Sequence, residues 1–247
     1  MKNFLNIIGR RLRLNFQARE PAGFIEVERA ERIFYLSYLQ KEMTVFDVGA
    51  NVGEMTLLFS PFVADGTVHA FEASKSTFIR LELVCRETER RNVVLNNLAL
   101  SDKNGTIDLH IYDEALSTFN SQANRPMKNY GLDIEPVGIE QVLAVTVDNY
   151  CESKNIELID LLKIDVEGAE FQVMLGASRM LRDKRIGCMT FEFGQTTFDM
   201  GNSPEEIETF LTKMDYKIRN VVEGDPIFPG RESVQAAKYS MHIATPD

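Results

Sequence analysis

Phe46-Asp47-Val48-Gly49-Ala50-Asn51-Val52-Gly53 is the stretch on which the fold of this 247-residue chain turns. It closes an apolar run that begins at Thr44 and opens an amphipathic one, so it marks a buried strand passing into a helix. Glycine at 49 lets the backbone turn tightly beside a ligand, and glycine at 53 permits close helix packing. By itself the pattern fits a nucleotide loop or an ordinary strand-to-helix turn.

Glu72 separates these. It ends the next apolar run, Thr67–Ala73, about 20 residues beyond the loop, where an acid reaches ribose hydroxyls. The carboxylate would repel a 2′-phosphate, so the ligand is an adenosine compound without one. A dinucleotide calls for a second glycine at the step Gly49-Ala50-Asn51 to admit the pyrophosphate. Asp47 instead suits a cationic sulfonium or amino group and disfavours phosphate. Asp47, Gly49, Asn51, Gly53 and Glu72 are therefore expected to bind S-adenosylmethionine.

Outward from the loop, short apolar runs alternate with helical stretches, the pattern of βαβ units on a parallel sheet. Helices are expected over Asn51–Phe62, Ser74–Arg91 and Ala169–Asp183, and another opens at Ser203-Pro204-Glu205-Glu206 with an N-cap, a first-turn proline and acids. Strands are expected at Thr44–Ala50, Thr67–Ala73, Val93–Leu100, Gly105–Asp113, Val145–Tyr150, Leu161–Asp165, Gly187–Phe193, Tyr216–Val222 and Lys238–Ala244. Between two of these lies Glu114–Gly138, rich in Ser, Asn, Gly and Pro, which reads as a flap or a surface insertion.

The second block is Lys163-Ile164-Asp165-Val166-Glu167-Gly168-Ala169-Glu170. Strand side chains alternate, so Lys163, Asp165 and Glu167 share a face if the strand stays extended that far. They then meet at the carboxyl edge of the sheet, where open α/β folds bind ligands. A structural ion pair between Lys163 and an acid is the alternative.

With these blocks in view, the sequence resembles the FkbM family of methyltransferases. The family pattern appears as Phe46–Gly53, Phe71-Glu72, Asn97-Leu98-Ala99-Leu100 and Lys163–Glu170, and the match runs from about Thr44 to Phe193. The resemblance implies a class I methyltransferase (Rossmann-like) α/β fold: a seven-stranded, mostly parallel sheet with one antiparallel strand and helices on both faces. It implies methyl transfer, usually to a hydroxyl oxygen of a sugar or secondary metabolite, and adds Asn97, Ala99 and Asp165 to the cofactor-binding set. Ala73 departs from the proline that many members carry after Phe-Glu.

An alcohol is a poor nucleophile until its proton is accepted in the transition state. Asp165 and Glu167 are the expected base or acceptor-positioning groups. Lys163 would hold one of them charged or stabilise the developing alkoxide. Clustered carboxylates could also hold a divalent cation of the Mg²⁺ type, a point the sequence leaves open. His69, His110 and His242 sit in strands with no second ligand at helical spacing and read as core or edge residues.

The 27 Lys+Arg against 37 Asp+Glu give a net charge of -10, which repels polyanions and argues against a nucleic-acid substrate. The amino-methylating segment Asn/Asp-Pro-Pro-Tyr/Phe is also missing. A catalytically idle adenosine-binding module is the other rival, and it would not require the acids of the second block. Cys85, Cys151 and Cys188 are widely spaced and read as small buried hydrophobes in a reducing, cytoplasmic setting. The basic, amphipathic stretch Met1–Arg19 suggests a weak peripheral contact with the inner face of a membrane, or packing on its own domain. A helical extension over 1–43 and a methyltransferase domain over 44–247 are expected to form one unit.

Overall fold

The protein is described by a computed structural model over residues 23–247; the basic stretch 1–19 lies outside the described residues. Among the described residues, ten strands and eight α-helices follow in chain order. They are α1 (Phe24–Tyr38), β1 (Thr44–Val48), α2 (Glu54–Phe59), β2 (Thr67–Phe71), α3 (Lys75–Glu87), β3 (Val93–Asn96), β4 (Ala99–Leu100) and β5 (Gly105–Ile111). Then come β6 (Gly138–Val145), α4 (Val147–Lys154), β7 (Leu161–Ile164), α5 (Glu170–Gly176), α6 (Ser178–Arg182), β8 (Met189–Phe193), α7 (Gln195–Asp199), α8 (Pro204–Lys213), β9 (Tyr216–Asn220) and β10 (Ser240–Pro246).

Seven strands form one sheet in the order β3-β2-β1-β7-β8-β10-β9. All neighbours run parallel except β10, which is antiparallel to both β8 and β9. This is the expected class I architecture. The central strands are apolar on both faces because helices cover both, as a parallel sheet requires. Phe46, Leu162, Ile164 and Phe191 pack with Val173, Met174 and Ile207 on one side. Val45 and Leu161 pack with Val27, Tyr35 and Phe59 on the other. Helix α1 thus joins the same core as the sheet.

The register decides where chemistry can occur. Asn96 is paired with Phe71, Phe71 with Val48, Val48 with Ile164, and Ile164 with Phe191. The residues one step further, Asn97, Glu72, Gly49 and Asp165, therefore leave the sheet side by side along its carboxyl edge, next to Glu192, which is still within β8.

Several boundaries differ from expectation for local reasons. Asn51 and Gly53 have positive φ (46° and 90°), so the first helix starts only at Glu54. The run Val93–Leu100 divides at Asn97-Leu98, and its second half joins a separate three-stranded sheet, β4-β6-β5. Val145–Tyr150 is not a strand. The strand lies earlier, over Gly138–Val145, and Thr146 caps α4 by accepting a hydrogen bond from the Asn149 amide at 3.1 Å. The helix over Ala169–Asp183 breaks at Ala177, where Gly176 sits so close to the Ser101 carbonyl that a Cβ would lie 2.0 Å from it.

The capping box at Ser203 is present, with Ser203 Oγ accepting from the Glu206 amide and Glu206 Oε2 from the Ser203 amide. All three cysteines are free and buried. His69 bonds Tyr150 at 2.9 Å, and His242 Nε2 accepts from the Phe228 amide at 2.9 Å. Burial lowers their pKa values to about 4 and about 3, so both are neutral packing residues. No helix among the described residues is long and apolar enough to cross a membrane.

Candidate active site

A cleft opens along the carboxyl edge of the large sheet. Its floor is the loop after β1, with Gly49 and Asn51. Glu72 and Ala73 form one wall, and Asp165, Val166 and Glu167 the opposite end. Ala99 and Leu100 border it from the small sheet, and Ser117, Thr118, Asn120 and Gln122 of the flap roof it.

Glycine at 49 is dictated by sterics. Its φ is 78°, and a Cβ there would fall 1.8 Å from the Asp165 carbonyl oxygen. The two strand ends therefore approach as closely as backbone allows. Gly53 lies away from the cleft lining; its missing side chain admits Leu81 of α3, whose Cδ1 would be 2.7 Å from a Cβ.

Glu72 is 8% exposed and accepts amide hydrogens from Asn51 and Ser74, each at 2.9 Å. Burial raises its pKa to about 7 against these two donors. Each oxygen keeps a lone pair for a ligand hydroxyl. Asn97 braces this wall from behind by donating from Nδ2 to the carbonyls of Glu72 and Ala73, both at 2.9 Å.

Beneath the floor runs a buried polar row. Asp47, Lys163 and Thr190 are register partners on β1, β7 and β8. Lys163 Nζ stands 3.0 Å from Asp47 Oδ1 and 3.3 Å from Asp165 Oδ2, and Thr56 donates to Asp47 Oδ2 at 2.6 Å. Burial opposes the lysine's charge, yet Asp47, Asp165 and Glu31 around it outweigh burial and hold its pKa above the ordinary lysine value. Asp47 is fully enclosed. It therefore acts on the cleft through Lys163, not by direct contact. Lys163 itself is 2% exposed, and its ammonium meets the cleft through Asp165, 3.3 Å away.

Asp165 is the open member, with its side chain 40% exposed. Glu167 does not continue the strand. Its φ of 55° is left-handed, a conformation that costs a non-glycine residue about 1–3 kcal/mol. Its carboxylate nevertheless reaches the same place, since Asp165, Glu167 and Glu192 each bring an oxygen within 4.8 Å of the others. Glu167 accepts from Arg125 at 2.8 Å, and Arg125 Nε lies 3.6 Å from Asp199, which also accepts from Tyr130. Glu170 accepts from the Val166 and Gly168 amides at 3.0 and 3.1 Å and fixes the turn. Burial raises the pKa of Glu167, Glu170 and Glu192, with neighbouring acids adding to it.

Of the expected residues, Gly49, Asn51, Glu72, Ala99, Asp165 and Glu167 line the cleft, while Asp47, Gly53, Asn97 and Lys163 support it from behind. Two groups escaped the sequence reading. Glu192 had a weaker signal, a lone acid inside the apolar strand Met189–Phe193, one residue before its end. Arg125 stands alone in a segment without periodicity.

A family profile described as "Methyltransferase FkbM domain" matches residues 47–218. The chain belongs to the FkbM methyltransferase family. Among relatives, this FkbM-family protein is 28% identical over 177 residues to a protein named 2-O-methyltransferase NoeI of Sinorhizobium fredii, covering 68% of this chain and 70% of that one. It is 29% identical over 216 residues to 31-O-demethyl-FK506 methyltransferase FkbM of Streptomyces tacrolimicus, covering 78% and 79%. A crystal structure of a methyltransferase FkbM from Methylobacillus flagellatus superposes with a TM-score of 0.51 at 11% identity, covering 97% of this chain and 58% of that longer one. That likeness concerns the fold. The family and the cleft together make this an S-adenosylmethionine-dependent methyltransferase.

Proposed function

We propose that this enzyme transfers a methyl group to a hydroxyl oxygen of a small molecule or glycan. The observation that carries the reading is the pairing of an adenosine-type wall at Glu72 with an open carboxylate, Asp165, at the far end of one cleft. Two relatives named for O-methyl transfer support oxygen as the acceptor atom. Bound S-adenosylmethionine supplies an activated methyl on a sulfonium, displaced in line by the acceptor oxygen, so that a C–O bond forms as the C–S bond breaks. The acidic excess around Asp165, Glu167 and Glu192 fits a cofactor carrying positive charge and no phosphate.

In this reading Glu72 holds the ribose hydroxyls, and the backbone at Gly49 leaves room beside them. Asp165 takes the acceptor's proton, with Glu167 fixing the acceptor hydroxyl. Lys163 pairs with Asp165 from below. The hydroxyl and amide side chains of Ser117, Thr118, Asn120 and Gln122 suit a polar acceptor. Asp165, Glu167 and Glu192 would be the residues to hold a divalent cation, their oxygens lying within 4.8 Å of one another; the step proposed here is base assistance by Asp165.

The test is methyl transfer from radiolabelled S-adenosylmethionine to a panel of sugars, polyols, phenols and amines. Label appearing in an ether of one hydroxyl class is expected. Label on nitrogen, or turnover undiminished in Asp165→Asn, would overturn the reading.

A further inference from the structure

The flap does more than roof the cleft. It leaves β5 at Ile111, returns at Gly138, and in between presses two side chains onto one residue of the β7 loop. Ser121 is fully buried and donates its hydroxyl to the Glu167 carbonyl at 2.7 Å. Its own place is fixed by paired backbone hydrogen bonds with His110. Arg125, with its side chain 9% exposed, donates to the Glu167 carboxylate at 2.8 Å, lies over the Phe119 ring, and is backed by Asp199 of α7. Glu167 is thus gripped at its main chain and at its side chain from the same segment, and the gripped residue is the one whose backbone is left-handed. Left free, a glutamate relaxes out of that conformation. Gly168, with φ 107° and no space for a Cβ beside the Thr196 carbonyl, contributes no side chain; Glu170 and Asn202 hold the main chain at 166 and 168, and the flap holds Glu167 itself.

We propose that Ser121 and Arg125 are positioning residues that hold Glu167 in its cleft-facing posture, so that the segment forming the acceptor roof also completes the catalytic edge. This rests on the assignment of Glu167 to the chemistry. It also gives the flap a role that a surface insertion lacks: an acceptor that disturbs the flap disturbs Glu167, and one that fits it leaves the site assembled.

The test uses the full chain and the variants Ser121→Ala, Arg125→Lys and Glu167→Gln. Three quantities are read: hydrogen exchange at the 166–168 amides, S-adenosylmethionine affinity by calorimetry, and S-adenosylhomocysteine release with the pooled hydroxyl panel. Ser121→Ala removes one oxygen and keeps every charge, so it folds even if an Arg125 variant does not. Both flap variants are expected to exchange about tenfold faster at 166–168, with β7 still protected and cofactor affinity within about threefold. Product release is expected to fall roughly tenfold to a hundredfold, toward the Glu167→Gln level. Unchanged exchange at 166–168 in both flap variants overturns the clamp whatever turnover does. Faster exchange with normal turnover, beside an inactive Glu167→Gln, overturns its positioning role. A fully active Glu167→Gln removes Glu167 from the chemistry, and the exchange arm then still decides whether the clamp exists.

Discussion

The two ends of the cleft are built by different means. At the cofactor end, Glu72 is held by main-chain amides of residues 51 and 74, and the close contact at Gly49 is between two backbones. At the chemical end, Asp165 and Glu167 are held by side chains, Lys163 from below and Arg125 from the flap. Backbone donors are fixed by the fold and survive most substitutions, whereas a side-chain partner can be lost in one step. The cofactor end is therefore expected to be tolerant and common to relatives of this fold, and the chemical end to be sensitive.

The sharpest way to break this contrast is to remove Lys163. Lys163→Met strands Asp47, which is fully buried, and is expected to cost about 3–5 kcal/mol in chemical denaturation; a loss below about 1 kcal/mol would show that the polar row holds nothing together. Asp165→Asn comes next. Asp47 still compensates Lys163, so the thermal midpoint is expected to stay within a few degrees while turnover falls roughly 10²-fold or more. A variant that melts early yet methylates at the normal rate once folded would return Asp165 to a structural role.

At the other end, Glu72→Ala is expected to weaken S-adenosylmethionine binding by about 1.5–3 kcal/mol, read by calorimetry. Unchanged affinity would take Glu72 out of the site.

A smaller effect concerns pH. Burial raises the carboxyl pKa values of Glu31 and Glu72 to about 7, and those of Glu167, Glu170 and Glu192 also lie above the ordinary range. The folded chain therefore binds more protons than the unfolded chain between the ordinary glutamate range and about pH 7, and stability falls as pH rises through that window. Midpoints measured from pH 5 to 8 without cofactor are expected to decline, and a rise would mean these acids are stabilised as anions. Ionised Glu72 is the better ribose acceptor, so affinity for the cofactor is expected to increase over the same range. The smallest expected effect is none: EDTA followed by Mg²⁺ is expected to leave turnover unchanged, and reversible loss would recast Asp165, Glu167 and Glu192 as metal ligands.

What was legible in the sequence follows the same division. Phe46–Gly53 and Phe71-Glu72 depend on neighbours near in sequence or one register step away, and strand pattern plus turn chemistry exposes such places. Lys163 and Asp165 were visible for the same reason, as charges ending an apolar strand. Glu167 was placed on the right edge by the wrong argument, since its backbone leaves the strand and turns left-handed. Asp47 was expected to touch the ligand, but a parallel register that pairs it with Lys163 turns it inward. Arg125 reaches Glu167 across 42 residues, and no local periodicity encodes such a contact. Val145–Tyr150 was misread because Val145 and Val147 mimic a strand, whereas Thr146 between them is a helix cap.

The flap enters and leaves through one antiparallel pairing, in which Ile111 stands opposite Gly138. Its two ends are thus a single strand spacing apart, about 5 Å, whatever length of chain is looped out between them. A segment anchored in this way can be lengthened, shortened or rewritten without moving β5, β6 or the strand ends that carry Asp165 and Glu72. Descent with modification has an inexpensive route here: acceptor preference can drift by insertion and deletion inside one hairpin loop, provided that a hydroxyl and a cation still land on the residue at 167.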